Sequence, residues 1–170
     1  VILVTVGGQM PFDRLVSAVD AWAGARGRTD VFAQIGPTDL RPKNIEWVHL
    51  MEPDEFRRRV IAADAIVAHA GMGSILTALE HGKTILVMPR RGDLLETRND
   101  HQVATAERFS ELGRVHVARD ERELPERLDG LCDLRASAAI SPFASPRLVA
   151  ALRDFVHAGS PRDAGGSGGR

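Results

Sequence analysis

The residues with the most chemistry to offer lie in His69-Ala70-Gly71-Met72-Gly73-Ser74, between an apolar run (Ala65–Ala68) and a helical pattern from Ile75 onward. A strand, a glycine turn and a helix start, in that order, make an anion cradle. Glycine lets the backbone approach a ligand closely, and the first amides of a helix have no acceptor inside it. Those N–H groups and the helix dipole favour phosphate or carboxylate, and Ser74 adds a hydroxyl donor. The next apolar run, Thr84–Met88, ends in Pro89-Arg90-Arg91 and leads to Asn99-Asp100-His101-Gln102 at the head of another helix. A second glycine loop, Gly7-Gly8-Gln9, follows the first apolar run. In a parallel sheet all these segments reach one edge, where open α/β folds bind ligands. The spacing predicts a phosphate-bearing ligand.

Each signal has an ordinary alternative. Gly71 and Gly73 suit a tight strand-to-helix turn with no ligand at all. Asn99 or Asp100 suits a plain helix cap, and His69 suits a core histidine bonded to backbone as well as it suits a ligand contact. Asp100, His101 and Gln102 nevertheless carry the dense polar groups that sugar hydroxyls need. A dinucleotide fingerprint fails, because Leu76 stands where the third small residue belongs and Pro89-Arg90 replaces an acidic ribose ligand. A P-loop fails too: Gly82-Lys83-Thr84 precedes a strand and reads as a helix stop. With no His-Glu-x-x-His, no cysteine pair and no Asp-x-Asp, no metal is expected. Cys132 reads as a buried apolar residue, and the charges of Arg119–Arg127 as a solvated helix face.

The elements that must position these groups alternate between short apolar runs and helical patterns, the signature of a parallel sheet with crossover helices. Strands are predicted at Val1–Val6, Asp30–Ile35, Ile45–Leu50, Ala65–Ala68, Thr84–Met88 and Arg114–Ala118. Asp13 is placed to cap a helix whose apolar face holds Leu15, Val16, Val19 and Trp22. Pro53 suits the first turn of a helix burying Phe56, Val60 and Ile61. Further helices are expected at Asp100–Leu112, stopped by Gly113, at Arg122–Leu131 and at Pro146–Ala158. Continuous apolar strands imply cover on both faces. The fold class is therefore α/β, a Rossmann-like parallel sheet of about six strands with helices on both faces.

A chain of 170 residues fits one domain, placed at 1–158, followed by a Gly/Ser-rich tail at 159–170 expected to be disordered. Apolar content of 44% and charged content of 26% are ordinary for a globular protein. A formal charge of −1 gives nucleic acid no reason to bind. The single cysteine rules out an internal disulfide and suits a reducing compartment. The longest apolar runs are strand-sized, and Val1–Val6 lacks the basic flank of a signal peptide, so any membrane role is expected to come through a partner.

Three linked motifs then resemble one family: His69-Ala70-Gly71-Met72-Gly73-Ser74-Ile75, Gly82-Lys83-Thr84-Ile85-Leu86-Val87-Met88-Pro89-Arg90, and Asn99-Asp100-His101-Gln102 with Ala104. Together with Val4-Thr5-Val6-Gly7-Gly8 and Phe12-Asp13-Leu15-Val16, they are similar to the C-terminal domain of family 28 glycosyltransferases, the donor-binding half of a GT-B enzyme. The short single-domain members are most alike: the catalytic subunit of the dolichol-linked N-acetylglucosaminyltransferase and PssE-like exopolysaccharide transferases. The resemblance implies an inverting, metal-independent hexosyltransferase using a UDP-sugar. Gly7, Gly8, Gln9, Gly71, Met72, Gly73 and Ser74 would hold the diphosphate, and His69, Asp100, His101 and Gln102 the sugar. Leu50 and Met51 would face the uracil, and Arg90 or Arg91 would stabilise leaving-group charge. Larger members carry a ribose-gripping glutamate where this chain has Thr77, with Glu80 three residues on. The resemblance further implies a separate membrane-associated acceptor-binding subunit, a general base on that partner, a lipid-linked saccharide acceptor and a peripheral cytoplasmic location. Two other readings stay open: a non-catalytic nucleotide-sugar-binding or regulatory subunit, and a sugar-nucleotide epimerase.

Overall fold

The computed structural model describes residues 1–98 and 100–131. Six strands form one all-parallel sheet: β1 (Ile2–Thr5), β2 (Val31–Gln34), β3 (Glu46–Val48), β4 (Ala65–His69), β5 (Thr84–Met88) and β6 (His116–Val117). Their order across the sheet is β3-β2-β1-β4-β5-β6. Helices α1 (Asp13–Arg26), α2 (Pro53–Ala62), α3 (Met72–Glu80) and α4 (His101–Glu111) supply every crossover except the helix-free one from β2 to β3, and α5 (Leu124–Asp129) follows β6.

Alternation along the strands sorts the core into two layers. Ile2 and Val4 of β1, Val67 of β4 and Leu86 of β5 meet Leu15, Val16, Val19 and Trp22 of α1 and Leu124 and Leu128 of α5. Leu3, Ile66, Ala68, Ile85 and Val87 point the other way, to Val60 of α2, Ile75 and Leu79 of α3 and Ala106 of α4. Trp22 Nε1 donates to Asp129 Oδ1 at 2.8 Å, and the Arg26 guanidinium pairs with the same carboxylate, which ties α1 to α5.

The sheet reverses its winding between β1 and β4. These neighbours run in register from Ile2↔Ala65 to Thr5↔Ala68, while their crossovers leave toward opposite rims. A crevice opens where two such neighbouring strands send their loops apart.

Several expectations change in detail. The outer strands are shorter than their apolar runs, three residues in β3 and two in β6, because one side of a rim strand has no partner to extend it. Asp13 does not cap α1: it is the first helical residue, and its carboxylate accepts a hydrogen bond from the Thr38 hydroxyl. Ile61 is 53% exposed, since α2 turns Val60 inward and leaves the adjacent position in solvent. Helix α3 starts at Met72, so the second glycine of the central motif lies inside its first turn. Asp100 occupies the N-cap position of α4 without a capping bond, because its Oδ1 accepts the Gly92 N–H at 2.9 Å instead. Helix α5 starts at Leu124 rather than Arg122, after Asp120 accepts the N–H groups of Arg122 and Glu123. Asn99, Cys132, the helix expected at 146–158 and the tail at 159–170 lie outside the described residues.

Candidate functional site

At the C-terminal ends of β1 and β4 the two glycine loops close on one side chain, His69. A Cβ at Gly71 would stand 2.1 Å from His69 Cε1, and one at Gly7 would stand 3.2 Å from Nε2. Gly7 also has φ +76°, a conformation that side chains resist. Both glycines are thus needed for the imidazole to sit between the loops. His69 Nε2 lies 3.2 Å from Ser74 Oγ, and Nδ1 is buried without a hydrogen-bond partner among the described residues. Burial, and then the nearby positive Arg90, push the His69 pKa down to about 4, against a weaker opposing influence of the neighbouring Gln102 side chain. The ring is neutral at physiological pH.

Around the imidazole the backbone offers donors. Gly71 is the N-cap of α3, and the first helical bond is Ile75 N–H to Gly71 O at 3.1 Å. Among the described residues the N–H groups of Met72, Gly73 and Ser74 therefore have no acceptor. In the opposite loop Gly7 N–H is used by Thr5 Oγ1, whereas those of Gly8, Gln9 and Met10 have no described acceptor. Gly8, Gln9, Met72 and Gly73 are exposed or half-exposed, and nothing lies within 4 Å of a Cβ at Gly73. Leu50 leans on this loop, its Cδ2 falling 3.1 Å from a Cβ at Gly8. Two sets of amides without a described acceptor, beside a neutral imidazole and a serine hydroxyl, can bind a polyanion with no side-chain charge in contact.

Several candidate residues have internal tasks. Met51 N–H, expected at a base edge, donates to the buried Gln34 Oε1 at 3.1 Å, so that donor is spent inside the fold. Gln102 Oε1 accepts Arg90 N–H at 3.2 Å. Arg90 is 5% exposed, and its Nη2 donates to Val6 O at 2.8 Å and Met10 O at 2.7 Å. Burial lowers its pKa from the ordinary guanidinium value, opposed by Glu96. Arg91 is held by Asp93 at 2.6 Å. Thr77 sits half-buried beyond the first turn of α3, while Glu80 and His101 are exposed.

Sequence reasoning missed Arg14. Its guanidinium binds Glu96 through Nε and Nη2, both at 2.8 Å, and Glu121 at 2.8 Å, and it also reaches Pro89 O. Glu96 in turn accepts Arg91 N–H. Helix α1 thereby fastens the loop between β5 and α4, across separations that no local pattern encodes. Separately, a cavity of about 1030 Å³ lies between α4 and β6. Val103, Ala106, Val115 and Val117 line it, and it meets the expected site only at Arg91 and Asp100. The anion donors lie elsewhere, at the glycine loops.

Residues 1–139 match the glycosyltransferase family 28 C-terminal domain. The chain belongs to that family. Its fold agrees with solved structures of glycosyltransferases. The calicheamicin glycosyltransferase CalG4 is 24% identical at a TM-score of 0.54, over 77% of this chain and 34% of that one. SnogD from Streptomyces nogalater is 25% identical at 0.51, over 78% and 33%. The solution structure of ALG13 is 19% identical at 0.58, over 89% and 93%. The family 28 domain therefore spans about a third of the length of the first two and nearly all of the third. No curated protein sequence matches it. As a family 28 domain the chain has the α/β architecture of a GT-B C-terminal half. Among its described residues no helix is long and apolar enough to cross a membrane.

Proposed function

We propose that this chain binds the UDP-sugar donor of a hexosyltransferase through the two glycine loops that meet at His69. The observation that carries the reading is the set of unaccepted amides at Gly8, Gln9 and Met10 and at Met72, Gly73 and Ser74, at the crevice between β1 and β4. The reaction is an inverting transfer. An acceptor hydroxyl attacks the anomeric carbon, the bond from that carbon to the diphosphate oxygen breaks, and the nucleoside diphosphate leaves with its electron pair. The acceptor proton passes to a base on a second, membrane-associated chain, which also holds a lipid-linked saccharide acceptor and places this one at the cytoplasmic face. Pre-aimed amides stabilise the charge that develops on the leaving group without needing reorganisation. A hydrogen bond to a charged group is worth about 1.5–3 kcal/mol, so two or three of them carry this task without a metal.

Calorimetry with UDP, in EDTA and in Mg²⁺, tests donor binding. Binding of equal strength in both supports the reading; absence of binding at millimolar UDP, or a strict metal requirement, overturns it. Transfer from UDP-sugars to a lipid-linked acceptor is then measured with this chain alone and with the acceptor subunit. Turnover only with both chains is expected, and full activity from this chain alone would refute the two-chain arrangement. UDP binding with no turnover in either case would favour a regulatory subunit.

A further inference from the structure

Arg90 is the only charged residue among the described ones that the fold buries, and no described carboxylate lies within ion-pair distance of it. Burying an uncompensated guanidinium is costly, so its hydrogen bonds show what the fold gains from it. One nitrogen, Nη2, donates to both Val6 O and Met10 O, the two ends of the β1–α1 glycine loop. The Phe12 ring lies 5.2 Å from the guanidinium carbon, and the backbone N–H of Arg90 is fixed by Gln102 Oε1. The segment between the two clasped carbonyls is Gly7-Gly8-Gln9, whose first residue has φ +76° and whose next two N–H groups have no internal acceptor. A loop with left-handed backbone and few internal bonds samples many shapes unless something outside it sets one.

We propose that Arg90 is a positioning residue for the donor diphosphate: it clasps Val6 and Met10 so that the loop amides between them stay aimed at the phosphates, and it does not itself contact the leaving group. This rests on the donor-binding reading above. The clasp needs a planar donor of fixed reach. A lysine keeps the charge but is shorter and places its hydrogens differently, so it is not an equivalent replacement here.

The test compares wild type with Arg90→Lys. The readouts are UDP affinity by calorimetry and the NMR order parameters of Gly7–Met10 in ligand-free protein. The expected result is a loss of roughly tenfold or more in UDP affinity, consistent with two charge-assisted bonds being disturbed, together with lower order parameters in that loop alone. Weaker binding with an unchanged loop would mean that Arg90 acts on the phosphates directly, and would overturn the proposal. Unchanged affinity would overturn it as well. Failure of wild type to bind UDP marks the separate failure of the donor reading and takes this inference with it. Should Arg90→Lys not fold, wild type alone decides: the clasp requires Arg90 Nη2 protons that are resolved and slow to exchange, and rapid averaging with solvent refutes it.

Discussion

Replacing Gly71 with alanine is a sharp perturbation of this site, because the added methyl has one obstacle. It would stand 2.1 Å from His69 Cε1 and 2.7 Å from Nδ1, well inside contact distance. The backbone does not object: Gly71 has φ −85° and ψ 140°, which alanine adopts freely. The ring cannot simply swing aside, since Ser74 holds Nε2 and Gly7 lies against its other side. Overpacking of this kind costs about 1–3 kcal/mol. Exchanging glycine for alanine returns about 0.4–1 kcal/mol by restricting the unfolded chain. The net expectation is a loss of about 1–2 kcal/mol in urea denaturation at neutral pH, with weaker UDP binding because the ring moves against the amide cradle. His69→Ala removes the obstacle, so in that background Gly71→Ala should be neutral or slightly stabilising. The double-mutant cycle should show favourable coupling of about 1–3 kcal/mol. Additive effects, or an unchanged penalty with His69 absent, would refute the claim that these glycines exist to admit the ring.

Gly73→Val should leave the urea midpoint nearly unchanged, since its side chain meets open space, yet weaken UDP binding by about tenfold or more by covering neighbouring amides. Because the folded pKa of His69 lies near 4, below the ordinary 6.5, protons bind the unfolded chain first. Its contribution is complete above pH ~6.5 and is lost as pH falls toward ~4, by roughly 3 kcal/mol at most; urea midpoints against pH should show this slope in wild type and lack it in His69→Phe. Arg14→Met should cost about 2–3 kcal/mol by stranding Glu96 in a mostly buried setting, whereas Arg91→Ala, which breaks an exposed pair, should leave the urea midpoint essentially where it is. His101→Ala should reduce transfer in the two-chain assay far more than it reduces UDP affinity; an equal loss in both would move His101 from the sugar to the nucleotide.

Much of this arrangement was legible in the chain. Thr84–Met88 was read to the residue, because a central parallel strand is apolar on both faces and ends where Pro89 denies it a further donor. The two glycine loops and their common edge followed from strand-turn-helix order. The imidazole between them did not, because a histidine at a strand end reads equally as core or as ligand contact until Gly7 and Gly71 are seen against it. The two arginines were not told apart for a related reason. Arg90 and Arg91 look alike in sequence, yet one reaches back to Val6 and Met10 while the other turns out to Asp93. Side-chain reach across 84 residues leaves no local periodicity. Asp100 likewise resembles a helix cap, and only the path of the preceding loop brings Gly92 N–H to its carboxylate.

The brevity of the two rim strands bears on how this protein meets other chains. A long, flat, apolar rim is a template onto which any extended peptide can add, and exposed rims of that kind drive aggregation. Here β3 presents three residues, beginning with the exposed Glu46, and β6 presents two. Neither offers enough unpaired backbone to seat a further strand. In the two-chain arrangement proposed above, assembly would therefore proceed by matching side chains and loops rather than by lengthening the sheet, which would make the choice of companion specific and let the chains separate without unpicking a ladder of backbone bonds.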